Sequence, residues 1–165
     1  MNRITLTISL IAGVYLSASS QENPLTVFSN LVGSAWVSEG EQLGGHQGKT
    51  VKEFSWGLDG KIIKVKTFAT DPETLEFGLR NEGVRFLNNE SNQLEFYEFD
   101  KLGGVSKGIV KIQGENIYYE YQYGGLLLRD SWVFISKDEY LYRVCSLKDS
   151  ECDQVYHKGV FNRKE

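Results

Sequence analysis

The chain has 165 residues, with 18 Lys and Arg against 22 Asp and Glu, for a net charge of −4. This length fits one domain with one core. A mildly acidic chain without a basic stripe is not expected to bind nucleic acid or anionic lipid surfaces. Two prolines and 17 glycines suit a β protein whose turns are built from Gly, Asn and Asp.

Residues 1–20 read as a signal peptide. Arg3 precedes the uncharged apolar run 4–16 (ITLTISLIAGVYL), and small residues follow at Ser17, Ala18, Ser19 and Ser20. The run is shorter than the roughly 20 residues a spanning helix needs. No cysteine stands near the cleavage point, so a lipid anchor is not expected. The expectation is a secreted or periplasmic protein, with residues 21–165 as one domain and no membrane insertion after cleavage. Cys145 and Cys152 are the only cysteines. An even pair in an exported chain reads as a disulfide, and two cysteines are too few for a structural zinc.

The mature chain opens with 24–32 (PLTVFSNLV), where Leu25, Phe28, Leu31 and Val32 share one face of a short helix. Strands are then predicted at 34–39, 49–56, 61–70, 77–87, 93–100, 105–113, 117–123, 126–135, 139–147 and 154–163. Turn signals separate them, among them Asp59-Gly60, Gly114-Glu115-Asn116, Gly124-Gly125 and Lys137-Asp138. With hairpin-length loops and no crossover helices, the pattern predicts an all-β, antiparallel up-and-down meander. About ten twisted strands remove their edges by closing into a barrel.

Three segments carry a family likeness: 31–36 (LVGSAW), the Asp59-Gly60 hairpin, and the ending 156–163 (YHKGVFNR). On these the chain resembles the calycin group and, within it, lipocalin-like domains of small exported bacterial proteins. The resemblance implies a barrel in which Trp36 plugs the closed end and a late arginine packs across its ring. Arg163 is the first choice for that arginine and Arg143 the second. Such barrels carry small hydrophobic or amphipathic molecules, which makes a ligand of that kind the expected partner of a monomer.

In 117–123 (IYYEYQY), alternation groups Tyr119 and Tyr121 with Ile117, opposite Glu120. Those tyrosines are expected to point inward, either as a pocket wall offering hydroxyls or as core filler. Arg129 and Arg143 lie on adjacent late strands. Arg129 shares a face with Val133 and Ile135, Asp130 shares the other with Trp132 and Phe134, and one of the two charges is expected inside. An interior arginine needs a carboxylate, with Glu53 and Glu98 as candidates, or an anionic ligand; likeness to fatty-acid-binding barrels admits a ligand carboxylate, while a solvated arginine is the first expectation.

If Cys145 faces Cys152, counting places Tyr140 opposite His157. A strand histidine in this place is similar to the haem-ligating histidine of the nitrobindin group, so haem on His157, or a barrel enzyme using it, is the rival reading. A filled barrel acting through its surface is the third. His46, in a Gly-rich loop, reads as a surface residue. No nucleophile elbow and no phosphate-binding glycine loop occur. The candidate ligand contacts are therefore Tyr119, Tyr121, Arg129, Arg143 and His157, with no catalytic residue and no metal ligand.

Overall fold

The computed structural model describes residues 23–41 and 47–164. The signal-peptide reading and His46 lie outside them. Asn23 starts the fold: its side chain accepts the Leu25 N–H at 3.0 Å, and Pro24 occupies the first turn of a 3₁₀ helix, Pro24–Asn30. Leu25, Phe28 and Leu31 are fully buried, each worth roughly 1.5–3 kcal/mol of removed apolar surface. Gly33, at φ +83°, then turns the chain into the first strand.

Ten strands follow: β1 (Ala35–Glu41), β2 (Gln47–Gly57), β3 (Ile62–Thr70), β4 (Phe77–Asn88), β5 (Gln93–Asp100), β6 (Val105–Gln113), β7 (Asn116–Tyr123), β8 (Leu126–Ser136), β9 (Glu139–Lys148) and β10 (Glu151–Lys164). Each pairs antiparallel with the next, and β1 pairs with β10, closing a barrel. The expected meander is therefore the fold. Two-residue turns at 114–115, 124–125, 137–138 and 149–150 connect the later strands. Gly124 and Gly125 both take positive φ there, the conformation such a hairpin requires.

One end of the barrel is closed. Trp36 is completely buried and donates its indole N–H to the Leu31 carbonyl at 2.9 Å. Trp132 and Tyr140 meet its ring edge-on at 6.4 and 5.2 Å, and Phe161 lies 5.0 Å from Trp132. The Arg163 guanidinium covers the Trp36 ring at 4.9 Å. The 3₁₀ helix packs over this end against β3 and β4.

The disulfide joins Cys145 and Cys152, but not in facing positions. Two register shifts in β10 place Cys152 opposite Leu147 and Val155 opposite Cys145. As a result His157 stands opposite Val144, while Tyr140 faces Phe161, which corrects the hairpin count. Among the described residues no helix is long and apolar enough to cross a membrane.

Candidate functional site

Below the aromatic plug the barrel interior becomes polar. An inner cavity of about 150 Å³ is bounded by residues from β2 through β9. A second cavity of about 260 Å³ lies toward the other end, against Thr67, Pro72, Arg80, Val144 and His157. Lys52, Asn81 and Tyr142 border both, so the two spaces are neighbours divided only by these side chains.

Alternation brings five charged residues to this cavity, Lys52, Arg85, Glu98, Asp130 and the exposed Asp100. Lys52 is in register with Trp36 on one side and Thr67 on the other. Arg85 is opposite Phe96, and Glu98 opposite Gly83. Asp130 is opposite Tyr119 and Val144. Arg85 is 4% exposed and donates from Nη2 to Glu98 Oε2 at 2.6 Å; Asn81 donates to the other Glu98 oxygen. Burial alone would raise the Glu98 pKa, but Arg85 and Lys52 outweigh it and hold the carboxyl below its ordinary value.

Arg85 is only half used. Its guanidinium lies over the rings of Tyr119 and Phe96 at 5.0 and 5.5 Å. Among the described residues its Nε and Nη1 and Thr67 Oγ1 find no well-aligned hydrogen-bond partner, while the Tyr119 hydroxyl lies within interaction range of the guanidinium. Lys52 rests its ammonium 4.8 Å from the Tyr142 ring and 5.9 Å from Trp132. The cavity wall thus includes donors whose capacity is only partly used, and a buried donor without an acceptor costs about 1–3 kcal/mol.

Asp130 has the opposite character. Its two oxygens accept from the Tyr121 and Tyr142 hydroxyls at 3.0 and 2.6 Å. Burial raises its pKa above the ordinary carboxylate value, against the pull of Lys52 and the two tyrosines. Burial also keeps Tyr119, Tyr121 and Tyr142 protonated, with pKa values above that of a free tyrosine.

Tyr119 and Tyr121 face inward, their rings edge-on to Phe96 at 5.2 and 5.7 Å. Arg129 does not join them. It stands on the outer face, where Nε and Nη2 donate to Glu120 Oε1 at 3.0 and 2.6 Å, and Lys111 holds the other Glu120 oxygen. The neighbouring Glu120, not Glu53 or Glu98, supplies its carboxylate. Arg143 is also outward, in register with Ser131 and Lys158. Between Arg129 and Asp130, the interior charge is therefore the acid.

His157 borders the outer cavity with its ring centroid 5.9 Å from that of Tyr142. Tyr142, Val144 and Phe161 line the same cavity as His157. Among the described residues no three His, Cys, Asp or Glu side chains gather as a metal site.

At the rim of the outer cavity, Asp71 accepts from Arg80 and Lys101 at 2.5 and 2.7 Å. This ties the β3–β4 loop to the β5–β6 loop. Lys52 and Arg85 escaped sequence reasoning; the usable signal was that each shares its alternation face with apolar residues, Phe54 for Lys52 and Leu87 for Arg85. No family model matches the chain, and no curated protein matches it.

Proposed function

We propose that this protein is an exported, monomeric carrier that binds a small amphipathic molecule inside the barrel, its anionic head in the inner cavity. One observation carries the reading: the buried Arg85 lines the cavity and gives only Nη2 to Glu98, leaving Nε and Nη1 without a well-aligned acceptor among the described residues. A planar carboxylate matches donors arranged in that way. Lys52 adds a second positive charge, and the outer cavity offers Val144, Phe161 and Ala69 to an apolar tail. The Cys145–Cys152 disulfide favours an oxidising compartment.

The test is calorimetric titration with octanoate and, in parallel, with 1-octanol, which shares the chain but not the charge. Octanoate is expected to bind at least about tenfold more tightly, a difference of about 1.4 kcal/mol. Lys52→Met should weaken octanoate and leave octanol unchanged. Equal affinity for the two, or no binding of either, overturns the proposal.

A further inference from the structure

Two cations, Lys52 and Arg85, and three acids, Glu98, Asp100 and Asp130, border the inner cavity. Glu98 is locked to Arg85 and Asn81. Among the described residues Asp130 meets no arginine and no lysine at ion-pair distance; its oxygens accept from the neutral hydroxyls of Tyr121 and Tyr142. The groups around it are Tyr119 and Tyr121 on β7, Tyr142 on β9, Lys52 on β2, Glu98 on β5 and Arg85 on β4, with Asp100 at the same cavity. His157 faces Tyr142 from the outer side. Asp100 is occupied by its own loop, accepting from the Leu102 and Gly104 N–H groups at 2.7 and 3.0 Å.

We propose that Asp130 couples ligand exchange to protonation: the anionic head enters when the Asp130 carboxyl is neutral and leaves when it ionises. The inference rests on the anion-binding reading above. With Asp130 ionised, Lys52 and Arg85 face Glu98 and Asp130, besides the exposed Asp100, and the cavity carries no positive excess to attract an anion. With Asp130 neutral, one negative charge is removed from beside the anion and the protonated carboxyl can itself donate to the incoming head. Both states have hydrogen-bond partners in place, because the Tyr121 and Tyr142 hydroxyls rotate between donating and accepting. The upward shift of the carboxyl agrees with this role. Linkage fixes the sign: a ligand preferring the protonated form binds more weakly as pH rises through the Asp130 pKa.

Octanoate affinity of the wild type is measured above the pH at which octanoate itself is ionised, up to about pH 8. It is expected to fall with pH, approaching about tenfold per unit at the limit of one proton per anion. Asp130→Asn, permanently neutral, should bind at the low-pH limit with a flat profile, while His157→Asn keeps the slope. A flat wild-type profile, or an Asp130→Asn protein that keeps the slope, overturns the proposal. If octanoate does not bind at all, the anion reading fails, and Asp130 is judged separately by the NMR titration of its carboxyl carbon in the ligand-free protein. A pKa there in the ordinary carboxylate range overturns the coupling on its own.

Discussion

Arg85 and Glu98 are diagonal neighbours on β4 and β5, paired at 2.6 Å inside the barrel, and the position opposite Glu98 is a glycine. The pair is geometrically possible because of that glycine. A Cβ at Gly83 would lie 2.6 Å from Arg85 Nη1 and would also strike the Tyr97 carbonyl oxygen. Two charges in a cavity this enclosed give little net stability when intact, yet removing either one strands the other.

Truncating Glu98 to Ala should therefore cost about 3–5 kcal/mol, because Arg85 loses its only carboxylate at a depth where water hydrates it poorly. Replacing both partners with apolar residues, Arg85→Met with Glu98→Leu, should recover most of the loss. Urea midpoints of the three proteins check this. A double variant as unstable as Glu98→Ala would mean that the pair contributes through packing and not through charge.

Gly83→Ala tests the same site by volume. The added methyl meets the rigid Tyr97 backbone on one side and Arg85 on the other, so overpacking of about 1–3 kcal/mol is expected. Because Arg85 must move, octanoate affinity should fall as well. Gly78, where an added Cβ would meet nothing within 4 Å, is the control: its alanine variant should lose neither.

Stability should peak between two opposing titrations. The Glu98 carboxyl is held low, with Arg85 and Lys52 outweighing burial. Its contribution is present above the ordinary carboxylate range and is lost as pH falls through its depressed folded value. Asp130 is raised, chiefly by burial. Its contribution is present at low pH and is lost as pH rises from the ordinary range through the raised value. Urea midpoints across pH should thus trace a dome, and Asp130→Asn should flatten only its alkaline side. A loss of the acid side in that variant would contradict the assignment.

The strands were legible because their periodicity and turns agree: β5 and β6 lie at their expected bounds, and the others shift by one to three residues. Tyr119 and Tyr121 were legible because Glu120 marks the opposite face. Three features were not. Arg129 and Asp130 each carry one charge on an apolar face, and alternation cannot choose between them; the choice is made outside, where Glu120 pairs with Arg129 and the Tyr118 ring lies under its guanidinium. The β9–β10 register was hidden because two irregularities between Cys152 and His157 absorb residues without a sequence marker. Arg85 was hidden because its partner lies on another strand and its space is created by a glycine on its own strand, a relationship that no single-strand pattern contains.

Arg163 closes the barrel with more than its charge. Its guanidinium lies 4.9 Å over Trp36, donates to the Asn30 carbonyl at 2.5 Å and the Lys137 carbonyl at 3.2 Å, and reaches Ser34 Oγ at 3.3 Å. It thereby joins the 3₁₀ helix, the start of β1, the β8–β9 turn and β10. A lysine keeps the charge over the ring but cannot span three acceptors in a plane. Arg163→Lys should therefore lose nearly as much stability as Arg163→Met, about 1–3 kcal/mol by the sum of a partly exposed cation–π contact and charge-assisted hydrogen bonds. Hydrogen exchange should show the loss first at the Leu31 and Val32 amides, which bond back to the Phe28 carbonyl. If Arg163→Lys instead retains wild-type stability, the ring contact alone holds the closed end, and the fork contributes nothing.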